Sequence, residues 1–578
     1  MERGAKVVIG LIWLLLISSL SPALSASLDP SVSSEATSRS TTTWTGTRIL
    51  TTDYTVAAGD TLVIDAGSII QLDDFVRIYV EGELDITGTA SNPVIITKTT
   101  TGIAHEGIQF NATSRNRGSV IQHLILENAE WGITVYNSNP TLNDVHIENP
   151  DYVGIDLFDN ADPIIQRLSV QGGGQDVAGF LSNSRYGIAL SAGVSSRPIV
   201  LGATFEGLTT RGINMWAGSD GYFRDIAISN ITHVGNQGWK TAGIWIENSL
   251  GLFDNVTVDR TDDGVWIEHI NSSYTTRPTF RQLTVTNSMY SGVNVEQDNR
   301  SNFNSPLNAI FENLTVSGSG GADAKTPGLC KYAIGMNTTG IDMTNVLVED
   351  NDCNGFKAYM IDSATIIRNM TVRNSGDASA ASSNDQAGVF IRSANWAPHI
   401  QDLHVTGSAG HGIMLSKSSL TGHNWTSDNN SEFGLYVRES HPLVYNTSLS
   451  NNGRNGLRVY DSSNVELFDL SSENNGLSAT IPDDGYGLFF KKSNDLMAAS
   501  KNVSCTRCSS TNDSWGGVRV IDSVDLQFHD LIVSNPGNSG YAVDVDNTGM
   551  IFNGLIDFHG IHVAGDRVGP IVQLIETE

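Results

Sequence analysis

One short motif recurs along the chain: glycine, an aliphatic residue, any residue, a second aliphatic residue, then a polar run. Two copies are GIWIENS from Gly243 and GVWIEHI from Gly264, and the most closely spaced copies lie 21 or 22 residues apart. The copies begin at Gly132, Gly154, Gly187, Gly212, Gly243, Gly264, Gly292, Gly388, Gly412, Gly434, Gly456, Gly487 and Gly517. A fixed period of this size is typical of solenoids, in which each repeat packs against its neighbours.

The spacing inside the motif is that of a β-strand, because two aliphatic residues separated by one other residue share a face. In GIWIENS, Ile244 and Ile246 face one side, and Trp245 and Glu247 face the other. A second strand, often opened by proline, follows most copies, and an asparagine-rich corner comes next. The corner residues are Asn149, Asn287, Asn351, Asn429, Asn451 and Asn452. Asparagine tolerates the left-handed backbone of a tight corner.

One such unit cannot bury its aliphatic face, whereas stacked units can pair strand on strand, so the pattern predicts a parallel β-helix. Helical solenoids are poor competitors, because no segment after residue 48 has a long 3.6-residue period. A leucine-rich repeat has a similar period, but the copies do not keep its spacing of leucines. Spacings of 31 or 33 residues, such as Gly456 to Gly487, indicate coils that carry an inserted loop.

The repeats and the opening stretches YTVAAGDTLVIDAGSIIQLDD from Tyr54 and VEGELDITGTASNPVIITK from Val80 resemble the right-handed parallel β-helix family. This is the pectate-lyase-like fold of secreted and cell-surface proteins of bacteria and archaea. The resemblance covers about residues 48 to 578 and implies an all-β, right-handed solenoid of about 17 coils, a rod roughly 80 Å long. It does not imply one activity, since the fold hosts lyases, hydrolases, epimerases and plain binding surfaces.

The N-terminus has the features of an export signal, with a basic start, an apolar run and small residues near Ala26. The apolar run is short for a membrane span, and we expect no span after signal removal. The predicted segments are the signal at 1–26, a Ser/Thr-rich leader at 27–47, N-terminal coils and cap at 48–100, and β-helix repeats at 101–578. The protein is therefore expected to be secreted or at the cell surface.

The net charge of −28 argues against nucleic acid as a partner, because phosphate binding depends on lysine and arginine. An acidic chain of this kind suits a soluble protein or one that binds cations.

Four cysteines fit an exported chain. Cys330 and Cys353 are about one coil apart, which allows a disulfide between neighbouring coils. Cys505 and Cys508 form a C-x-x-C, which we interpret as a local structural disulfide in an inserted loop. No second C-x-x-C or matching histidine pair completes a zinc site.

Thirteen N-x-S/T sequons occur, among them those at Asn255, Asn313, Asn369 and Asn446. Export makes glycosylation of a few of them an expectation. The alternative is that asparagine corners followed by threonine-rich strands generate sequons by composition alone.

The outward positions of the motif predict a carbohydrate site, because equal positions of stacked coils form rows about 4.8 Å apart. The candidate residues are Trp216, Trp245, Trp266, Glu247, Glu268 and Glu296. A flat indole pair can stack on sugar rings, and carboxylates can accept hydroxyl hydrogen bonds or hold calcium, the one candidate cofactor. Carboxylates this close should also raise one pKa among them. The alternative is that inserted loops cover the tryptophans and the glutamates are merely solvated.

The same rows become basic and aromatic in the later coils. The candidate residues of this second face are Tyr436, Arg438, Arg458, Tyr460, Lys491 and Arg519, together with Arg392, Phe489 and Lys492. Arginine can bind the carboxylate or sulfate groups of an anionic saccharide through paired hydrogen bonds. Two alternatives are contact with the acidic row of another copy and neutralisation of nearby Asp and Glu.

Two motifs look catalytic. Asp262-Asp263-Gly264 and Gly410-His411-Gly412 resemble those of the pectin hydrolases, but these hydrolase motifs sit on neighbouring coils, and here they are five or six coils apart, roughly 25 Å. A lyase would need an arginine base beside the acidic row, where Arg260 and Arg277 are near only in sequence.

The sequence therefore predicts an exported β-helix protein that binds a polysaccharide or surface glycan on the outer face of its first strand. One alternative is a polysaccharide lyase or glycoside hydrolase with Glu247 and Glu268 as acid and base. Another is a structural or adhesive rod without a small ligand. Because no element obviously closes the last coil, self-association through the solenoid end is also considered.

Overall fold

A computed structural model describes most of the chain from residue 39 onward. The described residues are 39–100, 102–174, 187–232, 241–271, 273–297, 307–320, 332–337, 340–376, 386–394, 398–492, 502–523, 525–537, 541–546, 556–565 and 572–575. The predicted signal at 1–26 lies outside them. Within these ranges the helices are two short 3-10 turns, Ala112–Ser114 and Pro482–Asp484, and no helix is long and apolar enough to span a membrane.

The strands that carry the glycine motif form one parallel sheet, the first-strand sheet. Its strands are Tyr54–Val56, Ile78–Val80, Ile108–Phe110, Trp131–Tyr136, Val153–Phe158, Ile188–Ala192, Arg211–Met215, Ala242–Glu247, Asp263–His269, Ser291–Gln297, Tyr332–Asn337, Phe356–Tyr359, Val389–Arg392, Ile413–Ser416, Leu435–Arg438, Leu457–Tyr460, Tyr486–Lys491, Gly516–Ile521, Val543–Asp546 and Val572–Ile575.

The strands between the motifs form a second parallel sheet, the second-strand sheet. Its strands are Thr41–Trp44, Thr47–Leu50, Thr61–Asp65, Ile69–Leu72, Glu83–Thr87, Val94–Lys98, Val120–Glu127, Thr141–Glu148, Ile164–Gln171, Ile199–Glu206, Tyr222–Ile231, Leu252–Thr261, Thr279–Thr286, Asn308–Ser317, Gly340–Asn351, Ile366–Ser375, His399–Thr406, Thr421–Asp428, Leu443–Ser450, Glu466–Glu473, Val503–Thr506, Ser509–Thr511, Leu526–Ser534 and Ile556–Ala564.

The two sheets enclose one continuous core, as the predicted right-handed parallel β-helix requires. Each strand pairs in parallel with the equivalent strand of the next coil, so that equal positions stack. Phe223, Phe253, Phe280 and Phe311 form such an internal stack, with ring centroids 4.8, 4.6 and 5.1 Å apart. Their burial, together with the aliphatic rows, provides the hydrophobic stabilisation that a single coil lacks. The fold prediction is confirmed, whereas the count of about 17 coils stays a prediction.

The anchors of several coils differ from the sequence-based expectation. In one coil Ala189 and not Gly187 occupies the anchor position, because Leu190 pairs with Ile155 and Ile213. Other coils were missed, among them those with Gly107, Ala333, Gly355 and Ala542 as anchors. Alanine and glycine both suit an anchor with little space for a side chain, so a search for glycine alone overlooks such coils.

The solenoid also begins earlier than expected. Thr41–Trp44 is a strand that pairs with Thr61–Ile64, although residues 27–47 were predicted to be a leader. Trp44 is only 2% exposed and packs in the first turn of the core.

A left-handed residue bends nearly every long strand of the second-strand sheet in its middle. This row includes Asp402, Asn424, Asn446, Asp469 and the sequon residues Asn255, Asn313 and Asn369, all with φ between 50° and 61°. Neighbouring side chains are linked, since Asn446 Nδ2 donates to Asn424 Oδ1 and Asn424 Nδ2 to Asp402 Oδ1, both at 2.8 Å. The backbone bend thus explains why asparagine recurs here, and glycosylation stays a prediction.

We expect Asn424→Ala to lower the free energy of unfolding by about 1–2 kcal/mol, because alanine is disfavoured in the left-handed region. Asn424→Gly is the matched control: it loses the same two hydrogen bonds but tolerates a φ of 56°. Urea unfolding followed by circular dichroism measures both. Equal losses in the two variants would show that the hydrogen bonds, and not the backbone, select asparagine.

The predicted disulfide between Cys505 and Cys508 is present. It is not in an inserted loop, however. The two residues are 1% and 0% exposed and occupy core positions on either side of the left-handed Arg507. Leu467 pairs with Cys505, so the disulfide replaces apolar side chains of the core. Cys353 is also disulfide-bonded, and Cys330, its predicted partner, lies outside the described residues.

Candidate functional site

Two outward rows run along the first-strand sheet, as predicted. The Trp245 row comprises Thr134, Asp156, Ser191, Asn214, Trp245, Trp266 and Asn294, which pair one after another across the coils. The Glu247 row comprises Tyr136, Phe158, Trp216, Glu247, Glu268 and Glu296. Trp216 also belongs to this second row. Met215 pairs with Ile246, so the residues that follow them, Trp216 and Glu247, occupy equal positions on neighbouring coils.

The Trp245 row is covered, which corrects the expectation of an exposed tryptophan pair. Trp245 and Trp266 stack face to face with centroids 5.5 Å apart and planes 3° apart, but they are only 4% and 5% exposed. The guanidinium of Arg211 lies 4.2 Å from the Trp245 ring centroid, and its Nη1 donates to Asn214 Oδ1 at 2.6 Å. The indoles therefore stack on each other and on Arg211, and they offer no open face to a sugar ring.

Buried polar groups continue from this stack toward the next coils. Tyr332 donates from its hydroxyl to Asn294 Oδ1 at 2.6 Å, and Ser291 donates from Oγ to Asp263 Oδ1. Burial, and after it the carboxylates of Asp263 and Glu296, raise the pKa of Tyr332. Asp263 thus belongs to a buried hydrogen-bond network, and a phenol held neutral is suited to donating a hydrogen bond.

The two motifs that resemble hydrolase motifs are not brought together. His411 is 2% exposed and its Nδ1 lies 3.0 Å from Glu432 Oε2, several coils from Asp262 and Asp263. Four strands of the first-strand sheet separate Asp263–His269 from Ile413–Ser416. This geometry agrees with the argument from sequence spacing.

The Glu247 row is the accessible part of this face. Trp216 and Tyr136 are 38% and 36% exposed, and Tyr136 packs on Phe158 with ring centroids 5.2 Å apart. The indole of Trp216 lies flat against Gly193, where a Cβ atom would approach the ring to 2.2 Å. Its Nε1 donates to Ser191 Oγ at 3.4 Å. One face of the ring is therefore supported by backbone and the ring is held in one orientation.

The three glutamates follow directly after this aromatic part of the row. Glu247 pairs with Glu268, and Glu268 with Glu296, so that the carboxylates stack at the coil spacing of about 4.8 Å. All three are partly exposed. Asn248 Nδ2 donates to Glu247 Oε1 and Asn294 Nδ2 to Glu296 Oε2, each at 3.3 Å.

Calcium was one candidate ligand of Glu247, Glu268 and Glu296, and the geometry lends it no support. Among the described residues no group of three or more His, Cys, Asp or Glu side chains is placed to hold a metal ion. Calcium takes six to eight oxygen ligands that converge on one point, which is more than one carboxylate on each of three successive coils provides by itself.

Sequence reasoning missed three residues of this face: Tyr136, Phe158 and Asp156. They occupy the same motif positions as the selected residues, in GITVYNS and GIDLFDN, and the motif itself was the signal that could have identified them. Burial raises the pKa of Asp156 to about 6, although a hydrogen bond with Ser191 opposes the shift. A carboxyl group that is partly protonated near neutral pH can act as donor or acceptor to a ligand hydroxyl.

The basic side chains of the second face are paired with carboxylates. Arg458 Nη1 lies 3.1 Å from Asp484 Oδ1, Lys491 Nζ lies 3.9 Å from Asp483 Oδ2, and Arg438 Nε lies 3.2 Å from Glu439 Oε1. Arg519 contacts Asp544 and Asp546. Phe489 is fully buried, whereas Tyr436 and Tyr460 are partly exposed. These contacts favour the alternative in which the basic residues neutralise nearby acids.

Comparison with known proteins supports the architecture. The family model for the right handed beta helix region matches residues 131–305 and 387–555, which together exceed half of the chain. No curated protein matches the sequence.

Similar solved structures are carbohydrate-active proteins with low sequence identity. The periplasmic alginate epimerase AlgG is 12% identical over 82% of this chain and 77% of its own, with a TM-score of 0.28. An alginate lyase from Paenibacillus sp. str. FPU-7 is 14% identical over 53% of this chain and 99% of its own, with a TM-score of 0.32. The A-module of the mannuronan C-5 epimerase AlgE4 from Azotobacter vinelandii is 12% identical over 89% and 91%, with a TM-score of 0.23. Likenesses this distant carry no argument about activity.

Proposed function

The chain belongs to the right-handed β-helix family, and from this premise we propose that it is an exported or cell-surface protein that binds a saccharide chain along the Glu247 row. Export is supported by the signal pattern of residues 1–26. The observation that carries the binding proposal is Trp216, a flat, exposed indole supported by Gly193 and followed in the same row by stacked carboxylates.

Each half of the Glu247 row suits one part of a sugar. Aromatic rings pack against the apolar C–H face of a pyranose, and Tyr136, Phe158 and Trp216 provide such rings. Glu247, Glu268 and Glu296 can accept hydrogen bonds from hydroxyl groups. Because the coils repeat about every 4.8 Å, close to the length of one sugar residue, successive sugars can meet successive coils.

The charge of the row favours a neutral saccharide over an anionic one. Three carboxylates in one row, on a protein of net charge −28, repel a polyuronate or sulfated chain. The row is therefore expected to select uncharged sugars with free hydroxyl groups.

We expect Trp216→Ala to weaken saccharide binding by about 2 kcal/mol, roughly thirtyfold, the size of effect at which a tryptophan covered by its ligand counts as a hot spot. A glycan array identifies the ligand, and isothermal titration calorimetry compares the variants. Gly193→Ala should also weaken binding, because a methyl group there displaces the indole. Tyr222→Ala is the control, since Tyr222 is partly exposed on the other sheet.

Two results would contradict the proposal. If no neutral glycan binds, the interpretation as a structural rod is favoured. If a glycan binds equally well to the wild type and to Trp216→Ala, the protein binds saccharides at a different surface.

Glycoside hydrolysis is a second candidate function, favoured by one observation: Glu247 and Glu268 are direct register partners. Their separation of about one coil is near the spacing of about 5 Å between the two carboxylates of a retaining glycosidase. Release of reducing ends from the glycan identified on the array would distinguish an enzyme from a binding protein.

A further inference from the structure

An inserted turn lies over the basic part of the second face. We call residues 477–484 the acidic turn; it connects the strand Glu466–Glu473 to the strand Tyr486–Lys491. Asp484 contacts Arg458 at 3.1 Å and Arg454 at 3.8 Å, and Asp483 contacts Lys491 at 3.9 Å and Arg519 at 3.8 Å. Two neighbouring carboxylates of one turn thus meet four basic side chains from three coils.

The acidic turn has little apolar anchorage. Its two large apolar residues, Leu477 and Ile481, are 68% and 52% exposed. Its first half is tied to the preceding coil, where the backbone N–H of Ser478 donates to the carbonyl of Gly453 at 2.8 Å. Its second half approaches the solenoid through the ion pairs of Asp483 and Asp484. Asp483 is partly exposed, and its ion pairs contribute up to about 1 kcal/mol each. Asp484 is only 7% exposed, so its release from Arg458 is the costlier step, which a ligand anion that takes its place on the guanidinium offsets.

Beneath the turn, Arg458 is held ready for an anion. Its guanidinium lies between two aromatic rings, 4.8 Å from the centroid of Phe433 and 4.9 Å from that of Phe489. Its Nη1 donates to Asp484 Oδ1, and within the described part of the chain its buried Nε has no hydrogen-bond partner. A guanidinium fixed in this way presents a planar edge suited to paired hydrogen bonds with a carboxylate or sulfate.

Partly exposed tyrosines flank these basic groups. Tyr436 pairs with Arg458 across adjacent coils, and Tyr460 pairs with Lys491. Aromatic rings next to cationic groups, repeated at the coil spacing, suit a chain of sugar rings that carries anionic substituents. This surface lies on later coils than the Glu247 row and has the opposite charge.

We propose that the later coils carry a second site, for an anionic saccharide, and that the acidic turn is its internal competitor. In the free protein Asp483 contacts Lys491 and Asp484 contacts Arg458. In the complex, carboxylate or sulfate groups of the saccharide contact these two basic side chains instead. The saccharide must displace the second half of the turn to bind. The site does not depend on the function proposed for the Glu247 row.

The test uses the full chain at low ionic strength, with heparin as the sulfated probe and polygalacturonate as the carboxylated probe. Removing both charges of the turn with Asp483→Asn and Asp484→Asn should tighten binding of at least one probe by about tenfold, equivalent to about 1.4 kcal/mol. Adding Arg458→Gln to this variant should return the affinity to that of the wild type. The probe that gains more identifies the anionic group.

A charge-matched control separates the turn from overall charge. Asp530→Asn with Asp557→Asn removes two acidic groups from the second-strand sheet. An equal gain in this control, or no gain in the turn variant, would overturn the proposal. If the double variant unfolds, Asp483→Asn alone provides the test, because Asp483 is partly exposed; a severalfold gain supports the proposal and no gain refutes it.

Discussion

Replacing Trp266 with alanine is expected to lower the free energy of unfolding by about 3–5 kcal/mol, the usual cost of deleting a buried aromatic side chain. Trp266 is 5% exposed and stacks on Trp245, which in turn packs beneath Arg211. Removing one indole leaves a cavity and exposes a face of the other. Urea unfolding followed by circular dichroism measures the loss.

Trp216→Ala is the matched control, because it makes the same change one row away at a side chain that is 38% exposed. It should cost at most about 1 kcal/mol in stability while it weakens saccharide binding. The two tryptophans thus separate packing from recognition. A stable Trp266→Ala protein that had lost saccharide binding would show that the stacked pair is the binding surface after all.

The fold could be predicted from the sequence because two requirements restrict the residue type at each inward position of the motif. Ile244 and Ile246 must be apolar to fill the core, and they must recur with the coil because each stacks on its copy, as on Val265 and Ile267. Because side chains alternate between the two faces of a strand, every second position of the motif can be identified as inward without knowledge of any other part of the chain.

The exposure of outward side chains could not be predicted in this way. The alternation of side chains correctly places Trp245 and Trp216 outside the core, yet Trp245 is covered and Trp216 is exposed. The difference depends on contacts from other coils, such as Arg211 with Trp245 and Gly193 with Trp216. Likewise, Arg458 was identified as a member of a basic row, but its partner Asp484 comes from an inserted turn without repeat periodicity.

A carboxyl group buried at a corner leads to the second large expected effect. Asn430, Asn452 and Asn475 form a buried ladder, in which Asn430 Nδ2 donates to Asn452 Oδ1 at 2.9 Å and Asn452 Nδ2 to Asn475 Oδ1 at 2.8 Å. Asp513 takes the next position and accepts from Asn475 Nδ2 at 3.0 Å and from its backbone N–H at 2.8 Å. It is 1% exposed, and burial raises its pKa from 3.8 to about 6.

The raised pKa sets the direction of the pH dependence. Between its unfolded and folded pKa values Asp513 binds more protons in the folded protein, so stability falls as pH rises from about 4 to about 6 and stays lower above that range. The folded and unfolded pKa values of Asp513 differ by about 2, which corresponds to about 3 kcal/mol in the free energy of unfolding. Near neutral pH the ionised carboxylate of Asp513 therefore destabilises the folded protein, and a neutral amide at the same position would avoid this loss.

We expect Asp513→Asn to raise the free energy of unfolding by up to about 3 kcal/mol at about pH 8, and to change it little at about pH 4. The asparagine Oδ1 can keep both hydrogen bonds from Asn475, and its amide can donate to Ser510 Oγ, which now donates to Asp513 at 2.5 Å. Urea unfolding at both pH values provides the measurement, with the exposed Asp530→Asn as the control. A gain at both pH values would show that the amide improves packing, and that ionisation of Asp513 is not the cause.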